Sequence, residues 1–86
     1  MPTTTPTNHT VIVYSKPYCQ PCSLTKLALD RTGIPYIERP VTERLAEFKA
    51  RGFVSSPVVI VTDESGRELR AWSGFRIDEL HALADV

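Results

Sequence analysis

The sequence is short of several features that would assign a protein at once. It has no apolar run near the ~18 residues that a membrane span needs. Its ten basic and ten acidic side chains cancel, and no like-charge run reaches five. This excludes a basic footprint for nucleic acid and an acidic tail. The opening MPTTTPTNH lacks the apolar core and basic flank of a secretory signal. We therefore expect a cytoplasmic protein, and a reducing compartment disfavours a permanent structural disulfide.

Metal ligands are equally scarce. Zinc needs about four ligands, and the chain has only two cysteines and two histidines, with no Cys₂His₂ spacing. His9 lies in the Thr- and Pro-rich N-terminal stretch, and His81 lies in the last predicted helix. The sequence therefore predicts no metal site.

The hydrophobic pattern predicts one domain over residues 10–86, preceded by a disordered tail over residues 1–9. The element order is β-α-β-α-β-β-α, an α/β fold with a mixed four-stranded sheet and three helices. The first two strands are expected to be parallel, and the last two form a hairpin. The predicted strands cover residues 10–15, 34–40, 56–63 and 67–72.

Apolar spacing also predicts the inner face of each helix. The first helix begins near Cys22 and ends at Thr32–Gly33, the second is capped by Thr42 and ended by Gly52, and the third follows Gly74. The residues assigned to these faces are Leu24, Leu27, Ala28 and Arg31, then Leu45, Phe48, Ala46 and Ala50, then Ile77, Leu80, Leu83 and Ala84.

Both cysteines stand in the segment SKPYCQPC, between the first strand and the first helix. Free N–H groups and the positive dipole end of a helix favour a thiolate at Cys19, which is the species that attacks disulfides. Cys22 is close enough to resolve the resulting mixed disulfide, and Pro21 suits the helix start. Lys16 has two open interpretations, a cation that aids ionisation or a solvated side chain. A structural staple and two inert buried thiols are the alternatives, but C-x-x-C beside a β-α-β pattern favours redox chemistry.

Together with this motif, SSPVV at residues 55–59 resembles the glutaredoxin branch of the thioredoxin superfamily. The resemblance implies a thioredoxin/glutaredoxin-like fold and a cis peptide bond at Ser56–Pro57, facing the cysteines. A cis bond there would leave the backbone of Ser56 free to pair with an extended substrate segment.

The segment WSGFR, residues 72–76, is similar to the signature of NrdH-type redoxins. That resemblance implies a dithiol–disulfide oxidoreductase that takes electrons from thioredoxin reductase and reduces the large subunit of class Ib ribonucleotide reductase. No bound cofactor is implied, because the Cys19–Cys22 pair carries the electrons, and a monomer is expected. Two departures stand out: Ile77 replaces a frequent proline, and Pro21 replaces a frequent glutamine.

Residues around the thiols are assigned a substrate-binding role, Lys16 and Tyr18 from their positions near Cys19 and the others with the help of the resemblance. The alternative for Tyr18 is an ordinary loop side chain. Trp72 has ordinary core packing as its alternative, and Arg76 is expected to tie the loop by bonding its carbonyls. The substrate-binding set is Lys16, Tyr18, Ser56, Pro57, Trp72, Ser73, Gly74, Phe75 and Arg76.

Three other functions remain open at this point. The first is a glutathione- or mycothiol-dependent glutaredoxin, although the Gly-Gly-Asp type segment that holds glutathione is absent. The second is a module whose thiols hold an iron–sulfur cluster between two copies. The third is an adaptor with inert cysteines.

Overall fold

The computed structural model describes residues 9–84, in which four strands form one mixed sheet with helices on both faces. The predicted tail up to Asn8 lies outside the described residues. The elements are β1 Thr10–Ser15, α1 Gln20–Arg31, β2 Ile37–Pro40, a 3₁₀ turn Val41–Arg44 that leads into α2 Leu45–Ala50, β3 Val58–Thr62, β4 Glu68–Ser73 and α3 Ile77–Ala84. The strand order is β2-β1-β3-β4, parallel between β1 and β2 and antiparallel elsewhere. The predicted fold class is confirmed.

The two central strands divide the core between the faces of the sheet, because successive side chains of a strand point to opposite sides. On one face, the odd-numbered valines of β1 and β3 pack with residues of α1, α3 and β4. On the other face, a smaller cluster packs against α2. The first cluster is Val11, Val13, Leu29, Ile34, Val59, Val61, Trp72, Leu80 and Leu83, and the second is Tyr14, Phe48, Val58 and Ile60.

The predicted inner face of α1 is wrong except at Ala28, which packs against the core. Cys22, Thr25 and Leu29 are the buried residues of this helix. Leu24 and Leu27 are 43% and 45% exposed. The apolar spacing fits two adjacent faces of the helix. Only the narrower face, which also carries Cys22, packs against the sheet. Ile77 of α3 is 45% exposed for a related reason, because α3 reaches the core through Leu80 and Leu83.

The second helix also differs from the prediction. It starts with a 3₁₀ turn that has no side-chain cap, so Thr42 does not cap it. Phe48 is its one buried residue, and Leu45, Ala46 and Ala50 are exposed. A helix of six residues has room for little more than one contact with the sheet below.

The edge strand β2 is shorter than predicted, and all four of its residues are exposed. Ile34 is buried, but it lies in the connection ahead of the strand. Among residues 9–84, no helix has the length and apolar character needed to cross a membrane.

Candidate active site

Cys19 and Cys22 are joined in a disulfide at the start of α1. Cys19 has extended backbone geometry and is the N-cap of the helix, and its Sγ accepts a hydrogen bond of 3.1 Å from the N–H of Cys22. A cap sulfur that already accepts an N–H at a positive helix end is well placed to carry negative charge once reduced. Pro21 is in the first turn, where its missing N–H removes no helix hydrogen bond.

The two sulfur-bearing residues differ in access. Cys19 is 9% exposed and Cys22 is 2% exposed, and both line a cleft of about 590 Å³. The cleft opens on the edge of the sheet between α1 and β2. The arrangement therefore offers Cys19 to a partner more readily than Cys22, which suits a nucleophile followed by a resolving thiol.

Tyr18 is the least protected large side chain at the site. It is fully exposed and has a φ of +56°, a left-handed backbone conformation that residues other than glycine rarely adopt. A bulky residue held in that region beside a reactive group is typical of a functional constraint. Its ring lines the mouth of the dithiol cleft.

Lys16 lies between two clefts, the one with the dithiol and another beside Ser55 and Ser56. Its side chain is exposed and has no ion-pair partner among residues 9–84. The structure therefore leaves both interpretations of Lys16 in place, a cation for the thiolate and a solvated charge.

The Ser56–Pro57 peptide bond is cis, the form that the resemblance implies. Ser56 is half-buried, and neither its N–H nor its carbonyl has a hydrogen-bond partner within the described part of the chain. The carbonyl of Pro57 accepts a bond of 2.7 Å from the N–H of Gly74. This bond fastens the loop before β3 to the segment 72–76.

The segment 72–76 has mixed roles in the structure. Trp72 is 3% exposed and belongs to the core, so its ring does not reach a partner in this conformation. Ser73 ends β4, and Gly74 has a φ of +82° that favours glycine. Phe75 lines an apolar groove with Leu24 and Leu27, between α1 and α3.

The predicted bonds from Arg76 to the loop carbonyls are wrong. Its guanidinium pairs with the Asp78 carboxylate, with Nη2–Oδ2 at 2.9 Å and Nε–Oδ1 at 3.2 Å, instead of with loop carbonyls. This partner is two residues away on an exposed surface, whereas loop carbonyls would have required the side chain to fold back. The pair raises the pKa of Arg76 and lowers the pKa of Asp78.

The sequence reasoning missed one polar network at the site. Glu38 of β2 accepts hydrogen bonds from Ser15 of β1 and Lys26 of α1, and all three line the dithiol cleft. The bond from Lys26 is the largest cause that lowers the pKa of Glu38, and the same bond raises the pKa of Lys26. The residues are more than ten positions apart in the chain. The parallel register of β1 and β2 brings Ser15 near Glu38, and the placement of α1 brings Lys26 to the same carboxylate.

The described residues 9–84 contain no cluster suited to a metal ion. No group of three or more His, Cys, Asp or Glu side chains there is close enough to hold an ion. The cleft carries thiols, a carboxylate and cations, which suits thiol–disulfide exchange.

Similarity to known proteins agrees with this chemistry. Residues 11–65 match the family model named Glutaredoxin. The chain is 32% identical to the glutaredoxin-like protein NrdH-redoxin from Escherichia coli, covering 85% of this chain and 92% of that one with a TM-score of 0.73. That protein has a thioredoxin-like activity profile.

More distant structures share the fold. Desulfothioredoxin from Desulfovibrio vulgaris Hildenborough is 22% identical over 92% of this chain and 82% of its own, with a TM-score of 0.67. Oxidised thioredoxin from Plasmodium falciparum is 16% identical over 91% of this chain and 79% of its own, with a TM-score of 0.65. No curated protein sequence matches the chain.

Proposed function

The chain belongs to the glutaredoxin family as an NrdH-type, glutaredoxin-like dithiol–disulfide oxidoreductase, and we propose that it donates electrons to class Ib ribonucleotide reductase. Thioredoxin reductase, and ultimately NADPH, is the proposed source of those electrons. The observation that carries the proposal is the likeness to E. coli NrdH-redoxin across most of both chains. The segment WSGFR at residues 72–76 supports it from this sequence.

In the proposed reaction, the Cys19 thiolate attacks a disulfide of the reductase subunit. The helix N-terminus stabilises that thiolate through its free N–H groups and dipole. Attack forms a mixed disulfide between Cys19 and the partner and releases the partner's second sulfur as a thiolate. Cys22 then attacks the Cys19 sulfur, which closes the Cys19–Cys22 disulfide and frees the reduced partner. No bound cofactor takes part in this scheme, because the two thiols carry both electrons.

The partner segment is proposed to lie along the loop before β3. The unpaired N–H and carbonyl of Ser56 can pair with an extended chain, as in strand addition. Tyr18 and Lys16 stand at the mouth of the cleft, where they can contact the residues that flank the partner's disulfide. Gly74 keeps the loop in place through its bond to Pro57.

A donor-swap assay tests the proposal. The oxidised protein is supplied with NADPH and thioredoxin reductase in one reaction, and with glutathione and glutathione reductase in another. A third reaction contains mycothiol and its reductase. Reduction of the ribonucleotide reductase large subunit should be fast in the first reaction and at least about 10-fold slower in the others, a difference of about 1.4 kcal/mol in barrier.

The same assay separates the alternatives. Turnover in the glutathione or mycothiol reaction alone would make the chain a low-molecular-weight-thiol glutaredoxin and overturn the proposed donor. Reduction of generic disulfides without reduction of the ribonucleotide reductase subunit would overturn the proposed substrate. A monomer is the proposed oligomeric state, and sedimentation of the protein used in the assay would test it.

A further inference from the structure

One charged network in the dithiol cleft takes no part in the mechanism above. The Ser15 hydroxyl donates a hydrogen bond of 2.7 Å to Oε2 of Glu38. The Lys26 ammonium donates to the same oxygen at 2.9 Å. Ser15 is 8% exposed, so this carboxylate is anchored from the interior side by a buried hydroxyl. Three elements, β1, α1 and β2, therefore meet at one carboxylate oxygen.

The network and the buried Cys22 line the same cleft. Lys26 follows Cys22 by four positions on α1, so the two side chains lie on the same face of the helix. Both residues line the dithiol cleft together with Glu38. Cys22 is 2% exposed, and burial disfavours the thiolate that the resolving step requires. A cation near Cys22 would offset that cost.

We propose that Lys26 stabilises the Cys22 thiolate in the resolving step, and that Glu38 and Ser15 hold the Lys26 ammonium in the dithiol cleft. In this scheme Lys26 is a positioning residue for thiol–disulfide exchange, and it acts on Cys22 through its charge. The proposal rests on the exchange mechanism above, in which Cys22 resolves, but not on the identity of either protein partner.

The step balances as follows. Cys22 gives its proton to solvent and becomes a thiolate, and its sulfur attacks the Cys19 sulfur of the mixed disulfide. The bond between Cys19 and the partner sulfur breaks as the Cys19–Cys22 bond forms. The partner sulfur leaves as a thiolate and takes a proton from solvent. Over the attack and resolving steps together, the cysteine pair is oxidised by two electrons and the partner disulfide is reduced by two.

Charge gives the two network members opposite effects. The Lys26 cation favours ionisation of the Cys22 thiol, and the Glu38 anion opposes it while holding Lys26 in position. The hydrogen bond between them raises the pKa of Lys26 and lowers the pKa of Glu38, so both stay charged around neutral pH. The other titratable groups that line the cleft are Lys16, Tyr18 and Arg39, and Arg39 is paired with Glu43. Asp30 and Tyr36 also act on the Lys26–Glu38 pair.

The experiment follows one turnover of the reduced full chain with an aromatic disulfide, 5,5′-dithiobis(2-nitrobenzoate), by stopped-flow absorbance. The first thionitrobenzoate is released when Cys19 attacks, and the second is released when Cys22 resolves. Because thionitrobenzoate leaves without needing a proton, the second phase depends on ionisation of Cys22. The phases are measured across a range of pH in wild type, Lys26→Met, Lys26→Arg and Glu38→Gln.

Lys26→Met should slow the second phase about two- to fourfold and move its pH midpoint up by about 0.5–1 unit. A nearby opposite charge shifts a pKa by about that amount when it is partly solvated, and the higher nucleophilicity of a higher-pKa thiol cancels part of the loss. Glu38→Gln should move the midpoint down, because its amide oxygen can still accept both hydrogen bonds while the anion is gone. Lys26→Arg should restore the wild-type second phase.

Matched controls are Lys49→Met and Glu68→Gln, which alter an exposed lysine and a carboxylate paired with Arg51, both outside the dithiol cleft. Neither should move the second phase by more than about 1.5-fold, since exposed charges are screened beyond a Debye length of about 8–10 Å. The proposal is overturned if Lys26→Met leaves the second phase unchanged, if it slows both phases equally, or if Lys26→Met and Glu38→Gln shift the midpoint in the same direction. Loss of the two-phase release in wild type would instead contradict the exchange mechanism itself.

Discussion

The two ends of the sheet treat their polar groups in opposite ways. At the β3–β4 end, Asp63 Oδ1 accepts from the Ser65 N–H, the Ser65 hydroxyl and the Arg67 N–H. The main chain closes the same turn through bonds from Asp63 to Arg67 and from Gly66 to Asp63. The three hydrogen bonds to Oδ1, the one from the Ser65 hydroxyl first, lower the pKa of Asp63.

At the dithiol end, groups of the same kind are left without partners. Ser56 has a free N–H and a free carbonyl within the described residues, and Lys16 has no counter-ion there. Tyr18 holds a left-handed backbone with its ring in solvent. Unmet hydrogen-bonding capacity and local strain cost stability. Their concentration at one end indicates that this end is built to bind and react, whereas the Asp63 turn is built to close a hairpin.

Removal of the nucleophile Cys19 should have the largest effect, and it tests whether the dithiol end is the reactive one. Cys19→Ser should reduce disulfide exchange on the order of 10³-fold or more, because the remaining thiol, Cys22, is buried. Cys22→Ser should keep the first step and accumulate a mixed disulfide, which mass spectrometry of the intact protein detects. Full exchange activity in both variants would show that the dithiol end is not the reactive one.

The second test separates strain from contact at Tyr18. Tyr18→Gly should raise the KM for a protein disulfide about 10-fold, since a lost aromatic contact commonly costs that much binding. It should also raise the free energy of unfolding by up to about 1 kcal/mol, because glycine relieves the left-handed strain. The gain is limited because glycine makes the unfolded chain more flexible. Tyr18→Phe keeps the ring and should behave as wild type in both chemical denaturation and kinetics. A Tyr18→Gly variant with unchanged KM would remove Tyr18 from the binding surface.

The third test uses one glycine from each end. Gly74 and Gly66 have φ values of +82° and +89°, and a Cβ at either would meet nothing closer than 3.6 Å. Each alanine variant, Gly74→Ala and Gly66→Ala, should therefore lose about 1–2 kcal/mol of stability through backbone conformation alone. Denaturant unfolding should give similar losses, and disulfide exchange should slow only in Gly74→Ala, since only Gly74 is bonded to Pro57. Equal exchange rates in the two variants would contradict a special role for the dithiol end.

The sequence by itself determined the features that depend on near neighbours. The β-branched run at Thr10–Ser15 forms a strand. The cysteines meet at a helix start because three positions separate them and Pro21 favours the first turn. Gly74 provides a turn because its left-handed φ is costly for other residues. Each outcome is decided within a few residues, so a local pattern was enough to predict the order of elements and the dithiol.

Only the tertiary structure decided which surfaces face each other. Leu24 and Leu27 satisfy a helical repeat as well as Thr25 and Leu29 do, and the choice between them depends on how α1 lies on the sheet. Arg76 took the nearest carboxylate because an exposed charge gains little from folding back over a loop. The contact of Ser15, Lys26 and Glu38 needed the β1–β2 register, which sets positions that sequence spacing cannot encode.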